Sequence, residues 1–154
     1  MNPRRKHVKL CATFAPVFLL AATPAMPPKA AIDARQAGFK SMGGAMKSLN
    51  GQLKSGAAAK PAMVLAARTL AITARDQPRF FPAGSGPSSG LKTDALPAIW
   101  TDRANFDAQM AKLASESNKL VAVVNAGNTA AIAAQAKATG AVCAACHRQF
   151  RADN

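Results

Sequence analysis

The 154-residue chain contains no tyrosine, one tryptophan and only 7 acidic residues against 20 basic ones. Runs of β-branched residues are also scarce, and this alanine-rich composition favours helices over strands. The shortage of acids leaves a formal net charge of +13, which suits acidic proteins, anionic membranes or nucleic acids as partners. The basic residues are scattered and are not interleaved with aromatic residues, so we expect no nucleic-acid partner.

No apolar run in the N-terminal region is long enough to span a membrane. The stretch over residues 10–22 has 13 residues and is interrupted by Pro16, whereas a spanning helix needs roughly 20. It follows four basic residues and precedes a small-residue region that ends near Ala25. These three parts predict a cleaved secretory signal over residues 1–25, with a membrane anchor as the alternative. We therefore expect a periplasmic mature domain, residues 26–154, without stable membrane insertion and with about 16 basic and 7 acidic residues.

Cysteine and histidine are rare outside one short segment. Once residues 1–25 are set aside, the remaining ones are Cys143, Cys146 and His147. They form Cys143-Ala-Ala-Cys146-His147, which matches the C-x-x-C-H signature of haem attachment. On a helix, positions i, i+3 and i+4 share one face, so both sulfurs can bond one porphyrin edge while His147 binds the iron. The segment therefore predicts one covalent haem c.

Three other interpretations of this segment compete with haem attachment. A disulfide or a thioredoxin-like pair normally opens a helix after a strand, and no strand pattern precedes Cys143. A structural zinc site needs four ligands, so an Asp or Glu would have to complete it here. The pentapeptide could also occur by chance on a solvated helix. The predicted export favours haem, because haem is attached to c-type cytochromes outside the bacterial inner membrane.

The spacing of apolar residues predicts four amphipathic helices and one long connection. The helices cover about residues 28–54, 59–75, 101–127 and 129–151. Thr101 or Asp102 can cap the third helix, and Gly127 can end it. Residues 76–101 are rich in Pro, Gly and Ser, and we expect the aromatic residues there to cover one end of the core. These are Phe80, Phe81 and Trp100.

Four helices joined by short loops and one long crossover indicate an all-α, antiparallel four-helix bundle. The crossover connects helices 2 and 3. An irregular α fold is the alternative, because the number of helices is better determined by the pattern than their topology.

Two segments of the chain resemble the cytochrome c′ family of class II c-type cytochromes. One is the C-terminal haem motif, and the other is Arg35-Gln36-Ala-Gly-Phe39-Lys-Ser-Met42-Gly-Gly on the first helix. The resemblance extends over about residues 28–151. It implies a four-helix bundle that forms a homodimer, with Arg35 and Gln36 near the haem propionates and Arg151 beside the proximal histidine.

Two functions can be distinguished by the identity of the side chain that faces the iron opposite His147. A second histidine is excluded by the count. The resemblance implies that the residue four positions after Arg35 overlies this distal face, where the low-spin relatives have a methionine. Here it is Phe39, which has no lone pair. We therefore expect five-coordinate, high-spin iron that binds nitric oxide and carbon monoxide and exchanges one electron, with no catalytic residues and no enzymatic activity.

The alternative is a low-spin electron carrier with a methionine as sixth ligand, docking through its basic surface onto an acidic redox partner. Met42 lies one turn after Phe39 and is the methionine that could replace it. The candidates by residue type are Met42, Met46, Met63 and Met110.

Overall fold

The structure is a computed structural model that describes residues 26–56 and 59–153. The predicted signal segment, residues 1–25, lies outside these residues. Four long helices form the body: α1 (Pro28–Ser55), α2 (Lys60–Asp76), α4 (Arg103–Ala126) and α5 (Thr129–Phe150), with a one-turn helix α3 (Ala98–Thr101) before α4. The described residues contain no extended strand, only an isolated bridge between Ala95 and Arg151. The predicted all-α class is confirmed.

The four long helices pack in an up-down-up-down order. Each neighbouring pair along the chain is in contact, and α1 also contacts α5, which closes the bundle. Lys60 at the start of α2 donates to the carbonyl of Asn125 near the end of α4 at 2.8 Å. Arg103 at the start of α4 donates to the carbonyl of Phe81 just after α2 at 3.1 Å. The antiparallel bundle with one long crossover between the second and third long helices is therefore confirmed. None of the helices described is long and apolar enough to cross a membrane.

Local signals set most of the helix ends. Gly127 ends α4 with φ of 82°, in the left-handed region that glycine tolerates, as predicted. The predicted cap at the start of this helix differs. Thr101 belongs to α3, and Asp102 stands at the N-cap position without a side-chain hydrogen bond to the helix backbone. The carboxylate of Asp102 instead accepts a hydrogen bond from the Asn105 side chain at 3.1 Å.

The crossover covers one end of the core with aromatic side chains. Phe81 is 2% exposed, and its ring centroid lies 4.7 Å from that of Phe106 and 6.1 Å from that of Trp100. The Trp100 indole N–H donates to the carbonyl of Pro82 at 3.0 Å, which satisfies its polar edge. Phe80 is only half-buried and lies under the Arg79 guanidinium. Phe81 and Trp100 thus take the place predicted for them, and Phe80 does so only in part.

The predicted apolar seams are buried in α2 and α4 but not throughout α1. All six seam residues of α4 are buried: Phe106, Met110, Leu113, Ser117, Leu120 and Val124. On α1, Phe39 is 37% exposed, although it belongs to the predicted seam, and Arg35, a charged residue, is only 2% exposed. The reason is that Phe39 lines a cavity, whereas the crossover covers Arg35.

Candidate functional site

A large cavity lies between α1 and α5, with α4 and the crossover forming its remaining walls. Its volume is about 580 Å³, within the range of cofactor pockets. It brings together every site residue that the sequence singled out. These are Arg35, Gln36, Phe39, Cys143, Cys146, His147 and Arg151.

The α5 wall carries the haem-attachment motif. Cys143 and Cys146 are half-buried free thiols on the cavity side of the helix. Burial raises the pKa of both, that of Cys146 to about 11, with a smaller contribution from the neighbouring Cys143. The pKa of His147 is lowered, first by burial and then by the positive charge of Arg151. His147 is therefore neutral at pH 7, which is the form in which imidazole binds a metal.

The α1 wall faces this motif, and one contact between α1 and α5 relates the positions of their residues along the bundle. A Cβ atom added to Gly140 would lie 3.9 Å from the Met46 side-chain methyl, so α1 and α5 touch at this point. The two helices are antiparallel, and Phe39 lies seven residues before Met46, as His147 lies seven residues after Gly140. At 1.5 Å per residue, both are about 10 Å from the contact in the same direction. Phe39 and His147 therefore lie on the same side of this contact, on opposite walls of the cavity.

Arg35 holds the crossover against α1. Its two terminal nitrogens donate to the carbonyl of Ser85 at 2.7 Å, the Ser85 hydroxyl at 3.0 Å, the Thr93 hydroxyl at 2.8 Å and the Phe80 carbonyl at 3.3 Å. The guanidinium also lies over the Phe81 ring, 4.8 Å from its centroid. Desolvation by burial lowers the pKa of Arg35. Arg35 is thus a buried anchor that borders the cavity, and not a solvated surface charge.

The cavity combines an apolar interior with a polar rim. The rim includes Gln36 and Lys40 on α1, Thr93 and Asp94 on the crossover, and Arg151, which lies 3.8 Å from Asp94. The interior is lined by Leu70, Phe81, Ile99, Phe106, Met110, Leu113 and Phe150. A porphyrin has an apolar ring and two carboxylates at one edge, so the residues present fit this group. The rim positions of the crossover carry no motif, so sequence patterns could not have identified them.

Three of the four methionines considered as iron ligands also line the cavity. They are Met42, Met46 and Met110. Met63 does not; it lies on α2 and is 4% exposed within the core. The structure thus shortens the list of candidates and keeps Met42, which is 6% exposed, next to Phe39 on the α1 wall.

Comparison with known proteins identifies the family. The family model for cytochrome c′ matches residues 30–151. The chain belongs to the cytochrome c′ family. Cytochrome c′ of Rhodopseudomonas palustris is 35% identical over 144 residues, which are 92% of this chain and 94% of that protein. Cytochrome c-556 of Agrobacterium tumefaciens is 34% identical over 121 residues, which are 78% of this chain and 95% of that protein.

The fold agrees with solved structures of the same family. Cytochrome c′ from Thermochromatium tepidum superposes with a TM-score of 0.79 at 26% identity, covering 84% of this chain and 100% of the other. Members of the family carry a covalently bound haem c, and this is the cofactor of the present chain. The family and the cofactor predicted from the sequence are both confirmed. Relatives named cytochrome c′ and cytochrome c-556 match with similar identity, 35% and 34%.

Proposed function

We propose that this cytochrome is a periplasmic haem protein with five-coordinate, high-spin iron that binds nitric oxide and carbon monoxide, exchanges one electron, and is not an enzyme. Cys143 and Cys146 form the two thioether bonds to the haem, and His147 is the only protein ligand of the iron. The supporting observation is that Phe39, which has no lone pair, lines the cavity on α1, across from the α5 wall that carries His147. The haem supplies an iron that takes a diatomic ligand or changes its oxidation state by one electron.

The chain's own residues account for the choice of ligand. Phe39 and Phe81 stand with ring centroids 6.2 Å apart and make the wall beside the iron apolar. Such a wall admits small neutral molecules and disfavours anions, because an anion would lose its hydration without gaining a partner. The titratable side chains Lys40, Asp94 and Arg151 lie at the rim. Peroxidase or oxidase chemistry would need an acid or base beside the iron, so we propose ligand binding without catalysis.

Arg35, Gln36 and Arg151 are proposed to hold the haem propionates and the proximal side. Arg35 and Gln36 line the cavity where it meets the crossover, and Arg151 follows the last turn of α5. A guanidinium pairs well with a carboxylate. The described residues give Arg35 no carboxylate within 4.0 Å, so a propionate would supply the counter-charge that this buried cation lacks.

One observation favours a second candidate function. Met42 lines the same cavity and is buried, and its thioether could bind the iron as a sixth ligand. The protein would then be a low-spin electron carrier without an open position. Met42 lies about one turn, roughly 4.5 Å, from Phe39 along α1, so only one of the two can lie directly across from His147.

The absorption spectrum of the haem-loaded protein distinguishes the two functions. Mass analysis first establishes one covalently attached haem. A high-spin ferrous spectrum that changes when carbon monoxide is added supports the proposal. A sharp low-spin ferrous spectrum that does not respond to carbon monoxide refutes it and identifies the electron carrier.

Substitution of Phe39 tests the assignment of the distal residue. Phe39→Met should convert the iron towards low-spin and weaken carbon monoxide binding, because it adds a thioether at the position proposed to face the iron. Phe39→Leu is the matched control, since leucine also lacks a lone pair and should keep the high-spin spectrum. If Phe39→Met leaves the spectrum unchanged, Phe39 does not face the iron.

The homodimer implied by the family resemblance also stays a proposal. Leu65 and Ile72 are 68% and 53% exposed, and their spacing of seven residues places them on one face of α2. An exposed apolar face of this kind suits contact with a second copy of the chain. Size-exclusion chromatography of the wild type and of Leu65→Gln/Ile72→Gln would test it, with a dimer expected only for the wild type.

A further inference from the structure

The outward side of α1 next to α5 carries a row of lysines. Lys40, Lys47 and Lys54 follow one another at intervals of seven residues, and all three are exposed. A spacing of seven keeps side chains on nearly the same face of a helix, with a drift of about 20° per step. Lys40 also lines the haem cavity, so the row begins at the cavity and continues along α1.

Two cations of α5 adjoin this row. Gly140 faces Met46 of α1, which fixes the side of α5 that is turned towards α1. Successive residues of a helix are rotated by about 100° about its axis. Relative to Gly140, Lys137 and Arg148 are therefore rotated by about 60° and 80°, in the direction away from the buried Thr139. Both are exposed. We call this set the α1–α5 cationic face: Lys40, Lys47, Lys54, Lys137 and Arg148.

No carboxylate neutralises the α1–α5 cationic face. Asp33 is the only acidic residue of α1, and it pairs with Lys29 at 2.6 Å, while α5 contains no acidic residue. Within the ranges that the structure describes, none of the five cations has a carboxylate within 4.0 Å. On α4, by contrast, Arg103 and Lys119 each pair with an acid of their own helix.

The surface between these cations is made of small side chains. Ala141 and Ala144 are exposed on α5, and a Cβ atom added to Gly43 or Gly44 of α1 would meet no other atom within 4 Å. Such a surface lets a rigid partner approach closely. A membrane-binding helix face would instead need large apolar side chains to insert into lipid. The large apolar residues exposed in the described part of the chain lie elsewhere, apart from Phe39 on the cavity wall: Met26, Leu65, Ile72 and Leu91.

The haem cavity opens on this face, because Lys40 and His147 line it from the two helices and both are exposed. We infer that the α1–α5 cationic face docks a protein whose surface carries a cluster of carboxylates, and that the partner is thereby placed over the cavity. Complementary charge speeds encounter and fixes orientation more than it adds affinity. The placement over a haem rests on the proposed function, whereas the docking surface rests on charge and register alone.

Poly-L-glutamate can serve as the probe for an acidic protein surface. Its binding to the haem-loaded protein is measured by calorimetry at low salt and at about 150 mM salt, where screening should weaken it. Lys47→Gln/Lys137→Gln removes two charges from the face without changing a residue that lines the cavity. Arg68→Gln/Lys112→Gln is the matched control, because it removes two exposed cations from α2 and α4.

The face variant should bind the probe about fivefold more weakly, as expected for the loss of two exposed charge pairs, and the control about as tightly as the wild type. Equal weakening of both variants would overturn the inference, because net charge alone would then explain binding. Binding to phosphatidylglycerol vesicles but not to poly-L-glutamate would also overturn it and would identify a membrane surface.

The carbon monoxide difference spectrum of the same samples separates this inference from the proposed function. A protein that binds carbon monoxide but not poly-L-glutamate refutes the docking surface only. A protein that does not bind carbon monoxide but still distinguishes the two variants refutes the proposed function only.

Discussion

Gly38 is the position at which a single methyl group should disturb the bundle most clearly. It lies on α1, where the helix passes the short turn that follows α2. A Cβ atom built on Gly38 would lie 1.8 Å from the side-chain nitrogen of Gln77, 3.0 Å from its amide carbon and 3.2 Å from a methyl of Thr73. Gln77 is completely buried, and the same nitrogen donates to the backbone carbonyl of Arg35 at 3.3 Å. The Gly38→Ala methyl group therefore cannot be accommodated unless Gln77 moves.

The expected magnitude follows from three opposing terms. Replacing a helical glycine by alanine gains about 1 kcal/mol of helix propensity. Overpacking a well-filled site costs about 1–3 kcal/mol. Displacing the Gln77 amide breaks its buried hydrogen bond to the Arg35 carbonyl, which costs about 1–3 kcal/mol more. The net expectation is a loss of about 1–5 kcal/mol in the free energy of unfolding.

The assay is urea unfolding of the haem-loaded protein, followed by the helical signal in circular dichroism. Gly44→Ala on the same helix is the matched control, because an added Cβ there would meet no atom within 4 Å. Gly44→Ala should be stabilised by up to about 1 kcal/mol. If Gly38→Ala were as stable as Gly44→Ala, the close packing of α1 against Gln77 would be wrong.

Two further predictions concern Arg35 and Cys146. Arg35→Met should lower the free energy of unfolding by about 2–4 kcal/mol, because the Ser85 and Phe80 carbonyls lose their donors. It should also speed proteolysis within the crossover. Arg79→Met is the control, because Arg79 is exposed and its replacement should have neither effect. A cleavage rate unchanged by Arg35→Met would contradict its role as an anchor. In the haem-free protein, the pKa of Cys146 is raised to about 11, so the thiol ionises in the unfolded chain before it does in the folded one. The contribution of Cys146 to the free energy of unfolding is therefore fully present below the ordinary thiol pKa of 9.0 and is lost as the pH rises towards about 11. Cys146→Ser should flatten that part of the stability-against-pH curve, and an identical curve would show that burial of this thiol has no such effect.

Apolar periodicity predicted the long helices well, and most clearly α2 and α4, because each of these two buries one continuous stripe. The six seam residues of α4 are all buried, and Gly127 ends that helix as predicted. The one-turn helix α3 was not predicted, since four residues are too few to show a helical period. Thr101 or Asp102 was expected to cap α4, but the Asp102 carboxylate accepts a hydrogen bond from the Asn105 side chain and none from the helix backbone. Such competition between hydrogen-bond donors is not visible in a sequence.

In the site, as in the fold, features set by neighbouring residues could be predicted, whereas contacts between distant parts of the chain could not. The assignment of Cys143, Cys146 and His147 to haem attachment rests on their spacing, and the structure brings all three to one cavity because one helix places them on one side. The fixing of Arg35 to Ser85 and Thr93 could not be foreseen, because the partners lie 50 and 58 residues away in a crossover without a regular pattern. Thr93 and Asp94 reach the cavity rim for the same reason, and no residue spacing marks them.

The contrast between Arg35 and Phe39 explains how one helix can serve both the fold and the site. They are four residues apart, so both point to the same side of α1, yet Arg35 is 2% exposed and Phe39 is 37% exposed. The crossover covers Arg35 and satisfies its charge with oxygen atoms, whereas it meets Phe39 through the Phe81 ring and leaves Phe39 partly exposed on the cavity wall. A packed core needs both positions filled with apolar side chains. In the proposed haem pocket, the buried cation would meet the propionates and the uncharged side chain would stand beside the iron, so this order along α1 would supply both.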